Sequence, residues 1–205
     1  MRRLGIALSV LAIFLGVTFA AEAQAPPVLP GSQGDFAGLV DIGGRKLYLE
    51  CRGRGSPTVI LVAGLSSSAR YWTDDLLPAN PPRTMVLPTI ATTTRVCAYD
   101  RPGTYAFIGE ERFISRSDPV AQPTTAMARV ADLHALLRAA GVPGPYVLAG
   151  HSLGGFVARR YASTYPDEVI GLVVIDAYSE FLEPIFGPER WPRLVRLNAS
   201  NKEVK

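Results

Sequence analysis

The chain contains 205 residues, which suits one domain or part of a larger one. Its composition, 48% hydrophobic and 19% charged, is that of an ordinary globular protein and excludes a disordered or fibrous chain. The formal net charge is only +3, and no basic run is interleaved with aromatic residues, so nucleic acid is not an expected partner.

The N-terminus has the pattern of an export signal. A charged start, an apolar run over residues 4–20 and a small-residue motif ending at Ala23 predict a cleavable signal peptide over residues 1–23. The expected location is therefore the periplasm or the outside of the cell, with no stable membrane insertion after cleavage. The alternative is a retained N-terminal anchor, since the apolar run is only slightly short of a spanning helix. Residues 24–34, rich in Pro and Gly, are expected to form a flexible lead-in.

Few side chains suited to metal binding are present. The sequence contains two cysteines, Cys51 and Cys97, and two histidines, His134 and His151. None of them falls into a metal-ligand spacing, so neither a metal nor another cofactor is expected.

Apolar strands and amphipathic helices alternate along the rest of the chain. A hairpin around Gly43 and Gly44 is followed by short β-branched runs and by two helical stretches, of which the first begins at Thr124 or Thr125 and stops at Gly141. The predicted strands are residues 39–42, 45–51, 58–62, 95–99, 146–149 and 169–175, and the second helix is residues 153–165. This order requires right-handed crossovers and a parallel sheet covered on both faces, which is a three-layer α/β sandwich.

A nucleophile elbow, the sharp strand-to-helix turn that exposes a catalytic side chain, is predicted at Ser152. Gly150 and Gly154 stand two residues before and two residues after this serine, where only small residues fit. Such a turn lifts the serine oxygen clear of the sheet and towards the N-terminus of the next helix, where the N–H of Leu153 can stabilise an oxyanion. The alternative is a glycine-rich turn with an incidental serine.

Five motifs in a fixed order resemble those of the α/β-hydrolase superfamily, in its esterase, lipase and perhydrolase-like branch. They are residues 59–64, 99–103, 132–137, 150–154 and 172–177. The resemblance implies a sheet with an antiparallel start followed by parallel strands, formed by a core over residues 35–178. Residues 179–205 resemble the start of a cap over the active site.

The resemblance also implies a second oxyanion donor. In this architecture the donor comes from the loop after the third strand, and Gly64 allows the backbone of that loop to approach the site. The N–H of Leu65 is therefore predicted to act together with that of Leu153. The alternative is a simple surface turn rich in serine.

The sequence departs from the superfamily in its catalytic base. Members carry the acid and then the histidine after the nucleophile, whereas no histidine follows Ser152 in this chain. His151 is adjacent to the serine and should point to the opposite side of the strand, and His134 is expected on a helix face. Asp176 ends a strand at which a minority of members keep their acid, and is otherwise structural. The chain is therefore expected to be an N-terminal portion, truncated after about the sixth strand and inactive alone.

Two further expectations follow from the resemblance. Asp100 and Arg101 should fix the turn after their strand rather than contact substrate. The strands that carry Cys51 and Cys97 are antiparallel neighbours in the superfamily, so a disulfide between them is one possibility and two buried thiols are the other.

The predicted function is that of a serine hydrolase acting on carboxylic esters or related acyl compounds. Ser152 would attack the carbonyl, and Leu65 and Leu153 would hold the oxyanion. A small acyl or ester compound is the expected binding partner. The alternatives are a non-catalytic binding protein on the same fold, or an acyltransferase or perhydrolase.

Overall fold

The computed structural model describes residues 29, 31–32, 34–76, 80–108, 111–122, 124–179 and 182–200. The predicted signal peptide lies outside these residues. No helix within the described residues is both long enough and apolar enough to cross a membrane.

A six-stranded sheet forms the centre of the fold. Its strands are β1 (Phe36–Asp41), β2 (Lys46–Arg52), β3 (Thr58–Val62), β4 (Val96–Tyr99), β7 (Tyr146–His151) and β8 (Val169–Ile175), in the spatial order β1-β2-β4-β3-β7-β8. The pairs β1–β2 and β2–β4 are antiparallel, and the other three pairs are parallel. This confirms the predicted antiparallel start followed by a parallel sheet, with strand bounds that differ from the expected ones by a few residues at most.

Two long helices cover one face of the sheet. Helix α3 (Ala126–Ala140) begins at Thr125, whose side chain accepts a hydrogen bond from the Ala128 N–H, and it ends at Gly141 in the left-handed conformation. Helix α4 (Leu153–Thr164) follows β7 directly. Gly141 is the C-terminal stop that the sequence predicts, because Gly tolerates a positive φ. Of the two candidate N-caps, Thr124 and Thr125, the structure uses Thr125, whose side chain satisfies a free N–H group.

The core has two parts, one on each face of the sheet. Strand residues such as Ile60 and Val62 pack with α3 and α4, whereas Leu61, which points the other way, packs with Trp72 and Leu87. Trp72 and Leu87 belong to two short helices, α1 (Arg70–Thr73) and α2 (Val86–Ile90). The three-layer sandwich is therefore confirmed, although these two helices are too short to give a periodic signal in the sequence.

A disulfide joins Cys51 to Cys97. The two residues lie directly opposite each other in the antiparallel register of β2 and β4. This confirms the bonded alternative.

Several elements were not expected from the sequence. A separate hairpin, β5 (Tyr105–Ile108) and β6 (Glu111–Ile114), follows β4, and a 3-10 helix (Pro166–Glu168) precedes β8. Helix α5 (Leu182–Ser200) is interrupted at Gly187, which has a φ of 70°. Its role as the start of a cap stays a prediction.

The end of the predicted lead-in is hydrogen-bonded to the core. The buried Arg95 donates to the carbonyl oxygens of Gly31 and Gly34 at 2.6 and 2.9 Å, and the Gly31 N–H donates to Ala140 at 2.6 Å. The composition of this segment gave no sign of that attachment.

Candidate active site

Ser152 occupies the sharp turn between β7 and α4. Its backbone has a φ of 52° and a ψ of −122°, a strained conformation for a residue with a side chain. The Ser152 N–H donates to the carbonyl oxygen of Ile175 at 3.0 Å, and its own carbonyl accepts from the Tyr178 N–H at 3.1 Å. Its hydroxyl does not cap α4. Backbone hydrogen bonds to the segment at the end of β8 therefore hold the turn in place, and they do not use the Ser152 hydroxyl.

The two glycines of the motif stand where the chain passes closest to itself. A Cβ added to Gly150 would lie 2.5 Å from the carbonyl oxygen of Gly154, and one added to Gly154 would lie 2.0 Å from that of Val62. Real Cβ atoms do not approach backbone so closely, so both positions require glycine. This is the steric reason for the motif's spacing.

The loop after β3 lies beside the elbow. A Cβ added to Gly64 would be 3.3 Å from the Cβ of Ser152 and 3.0 Å from Nδ1 of His151. The absence of a side chain at Gly64 thus lets this loop approach the serine. The next residue, Leu65, is the predicted oxyanion donor.

Arg101 holds the loop after β3 in place by hydrogen bonds to its backbone. Its side chain is almost fully buried, and its two terminal nitrogens donate to the carbonyl oxygens of Ala63 and Gly64. Burial lowers the pKa of Arg101, although a guanidinium stays charged in proteins. Arg101 therefore holds the loop beside Ser152 rather than only its own turn, and the expectation that it does not contact substrate stays a prediction.

Asp100 has a similar structural role. Its carboxylate is fully buried, accepts from the Ala69 N–H at 2.8 Å, and forms an ion pair with Arg116 at 2.8 Å. It thereby ties the start of α1 and the segment after β6 to the end of β4.

Two cavities adjoin the loop after β3, with volumes of about 170 and about 320 Å³. Both are lined by Leu65, Thr124 and Arg129. We call them the first and second cavity. The second is also lined by Leu153, so the two predicted oxyanion donors border the same space.

The N–H groups of Leu65 and Leu153 are not used by other backbone groups within the described residues. For Leu153 this follows from its place at the start of α4, because the first N–H groups of a helix have no partner inside it. Two N–H groups that no described backbone carbonyl accepts from, and that lie beside one cavity, are suited to bind an oxyanion.

Backbone strain is concentrated at the same end of the sheet. The non-glycine residues with positive φ in the described part of the chain are Ser66, Ser152 and Asp176, at 50°, 52° and 42°. They follow β3, β7 and β8, whose carboxyl ends meet here. Such strain persists where the surrounding structure enforces it, and it clusters at functional sites.

The two histidines have different surroundings. His134 lies on α3, where Nε2 is 3.1 Å from Oε1 of Glu168 and the ring stacks on Tyr165 with centroids 4.0 Å apart. This confirms the prediction that it is a helix-face residue. His151 ends β7 and lies against Gly64.

Arg129 is a site residue that sequence reasoning missed. It lies in the first turn of α3, immediately before the apolar series that begins at Val130, and lines both cavities. Nothing in the local pattern separates it from a solvated arginine on a helix surface. Only the position of α3 against the loop after β3 directs it to the site. Within the described residues, no three His, Cys, Asp or Glu side chains gather in a metal-binding group.

Comparison with known proteins identifies the family. The profile of the alpha/beta hydrolase family matches residues 59–203, which include the elbow, the loop after β3 and both cavities. The chain belongs to the alpha/beta hydrolase family.

Relatives in the family are longer than this chain. It is 30% identical over 123 residues to the "Putative carbamate hydrolase RutD" of Escherichia coli, an alignment that covers 60% of this chain and 38% of that protein. Among solved structures it resembles a serine hydrolase involved in carbazole degradation (TM-score 0.56, 21% identity, 80% of this chain and 56% of that one). It also resembles the thioesterase domain from the curacin biosynthetic pathway (TM-score 0.55, 19% identity, 82% and 52%). The chain therefore spans between about two fifths and just over half of these proteins.

Proposed function

We propose that the protein to which this chain belongs is a serine hydrolase of carboxylic esters or related acyl compounds. The observation that carries the proposal is the arrangement around Ser152, a strained elbow beside a cavity bordered by Leu65 and Leu153. Hydrolase and thioesterase neighbours of the same fold support the reaction class.

The reaction would proceed in two steps. The Ser152 oxygen attacks the acyl carbonyl while a base removes its proton, and the N–H groups of Leu65 and Leu153 stabilise the negative oxygen that forms. The alcohol then leaves with that proton, and an acyl-serine remains. Water, activated by the same base, hydrolyses this ester and restores the serine.

The base is the part of the site that the described residues do not supply. His134 is engaged by Glu168 and Tyr165. His151, which ends β7, lies against Gly64 as the Cβ of Ser152 does, but within the described residues it forms no hydrogen bond with the serine. We infer that the base is a histidine outside these 205 residues. The acid is either Asp176, exposed at the end of β8, or a carboxylate outside the chain.

Export remains part of the proposal. The Cys51–Cys97 disulfide supports it, because such bonds persist in the periplasm and outside the cell but rarely in the cytosol.

A non-catalytic binding protein is the second candidate, and the observation in its favour is that neither His134 nor His151 is hydrogen-bonded to Ser152 within the described residues. An acyltransferase or perhydrolase would share the acyl-serine and differ in what attacks it. A reading frame that ends at Lys205 would favour the binding protein, whereas an in-frame Asp followed by His would favour the enzyme.

The test uses the complete reading frame that contains this chain, a fluorophosphonate probe and p-nitrophenyl butyrate. We expect labelling and ester turnover, with both lost in Ser152→Ala, because the probe reacts with an activated serine oxygen. Ser163→Ala is the matched control, since Ser163 is exposed on α4 and bonds only within that helix. Labelling that persists in Ser152→Ala would contradict the assignment of the nucleophile.

A further inference from the structure

Arg129 faces the cavities beside the proposed oxyanion donors. It lines both cavities together with Leu65, and it borders the second with Leu153. Its side chain is half-buried, and its Nε donates to the Thr124 hydroxyl at 2.9 Å. A guanidinium in this position can contact whatever occupies the cavity.

No carboxylate neutralises this charge. Among the described residues, none lies within 4.0 Å of the Arg129 guanidinium, and Thr124 is its only side-chain hydrogen-bond partner there. Asp132, one turn further along α3 and on the wall of the first cavity, is instead paired with Arg45. Arg101, on the same wall, adds a second positive charge while its terminal nitrogens hold two carbonyl oxygens.

A half-buried guanidinium is costly when, as for Arg129 among the described residues, no carboxylate is paired with it. Removal from water lowers the pKa of Arg129, which reflects this cost. An anionic ligand would offset the cost, and the planar fork of Arg is matched to the two oxygens of a carboxylate. The geometry therefore favours a ligand with a carboxylate at one end and room for an acyl group beside Leu65 and Leu153.

We propose that Arg129 binds a substrate carboxylate, so that the preferred substrates are half-esters of small dicarboxylic acids rather than neutral esters. This inference rests on the proposed hydrolase function, because the bound half-ester is a substrate only if Ser152 attacks it. It names the substrate class of the proposed active site. The ester end would lie at Ser152, and the free carboxylate would lie at Arg129.

The test measures binding by isothermal titration calorimetry to the complete protein in a Ser152→Ala background, which removes turnover. Monomethyl glutarate is the probe, and dimethyl glutarate is its neutral counterpart of nearly equal shape. We expect the half-ester to bind at least about tenfold more tightly, since a charge-assisted pair is stronger than a neutral contact. Arg129→Gln should abolish this preference, Arg129→Lys should keep part of it, and Arg138→Gln, an exposed arginine on the same helix, should leave it unchanged.

The outcomes are decisive in both directions. Equal affinities, no measurable binding of the half-ester, or a preference that survives Arg129→Gln would overturn the proposal. If Arg129→Gln does not fold, as judged by its circular dichroism melt, Arg129→Met takes its place, because it keeps the apolar stem and removes the charge. A preference for the half-ester that survives in Arg129→Met would overturn the proposal. Fluorophosphonate labelling of the protein with Ser152 intact separates this inference from the proposed function. A protein that is not labelled but still binds the half-ester through Arg129 would refute the hydrolase and keep the carboxylate site.

Discussion

Gly154 is expected to be the residue of the elbow least tolerant of substitution. In Gly154→Ala the new methyl group would lie 2.0 Å from the Val62 carbonyl oxygen and 2.5 Å from that of Ala63, so β3 and α4 would have to separate. We expect the free energy of unfolding, measured with urea, to fall by about 3 kcal/mol. Gly144→Ala is the control, since a Cβ there comes no nearer than 3.7 Å to any residue beyond its two chain neighbours and should change stability by less than about 1 kcal/mol. Similar effects at both positions would contradict the steric argument.

Tyr99 carries a buried hydroxyl that has no hydrogen-bond partner within the described residues. Tyr99→Phe is therefore expected to leave the free energy of unfolding unchanged or to raise it by about 1 kcal/mol at pH 7. Tyr146→Phe is the matched control, because the Tyr146 hydroxyl donates to the Val142 carbonyl at 2.9 Å and its loss should cost about 1 kcal/mol. A clear loss of stability in Tyr99→Phe would show that its hydroxyl has a partner.

The same two tyrosines should lower the free energy of unfolding at alkaline pH. Burial raises the pKa of each to about 12, above the value near 10 of an unfolded tyrosine. A raised folded pKa means that folding favours the neutral form, so the contribution is complete below about pH 10 and is lost as the pH rises towards 12. Urea midpoints between pH 8 and pH 12 should fall over this window, and they should fall less in Tyr99→Phe.

The disulfide is the main covalent link between elements. It ties β2 to β4 across a sequence separation of 46 residues, and a closed loop of this size stabilises by about 4 kcal/mol if it is unstrained. Reduction should lower the free energy of unfolding by about that amount, while the double variant Cys51→Ala with Cys97→Ala should be insensitive to reductant. Two free thiols titrated in unreduced, denatured protein would show that the bond does not form.

Strand β8 forms an edge of the central sheet and exposes apolar side chains. In the described part of the chain it pairs only with β7. Its apolar side chains are exposed on both faces of the sheet, and the exposed fraction is 63% for Ile170 and 47% for Val173. An unpaired apolar edge is a template for association between chains. The chain also spans only part of the length of the relatives that it matches.

For the whole molecule, activity is expected to depend on more than these 205 residues. Residues 24–205 alone should hydrolyse p-nitrophenyl butyrate about 10³-fold more slowly than the complete reading frame, or slower still, because a serine hydroxyl without a base is a poor nucleophile. Size-exclusion chromatography should also show the short form associating. Stoichiometric labelling of the short form at Ser152 would mean that the base comes from within it.

The sequence by itself determined the features whose cause is local. The sharp turn at Ser152 follows from the glycines on either side of it, since Gly150 passes close to Gly154 only a few residues further along the chain. The end of α3 follows from Gly141, its start was narrowed to Thr124 or Thr125, and strand β8 follows from an apolar β-branched run. The sheet order and the nearness of Cys51 to Cys97 were reached through the family resemblance, since strand pairing brings together residues far apart in sequence.

Only the tertiary structure decided which distant side chains meet at the site. Arg101 on the end of β4 holds the loop after β3, and Arg129 on α3 reaches the cavity that Leu65 and Leu153 border. Neither contact leaves a periodic or compositional trace, because each arginine is an ordinary residue in its own segment. The charge of the candidate site therefore depends on how α3 and β4 pack around the sheet.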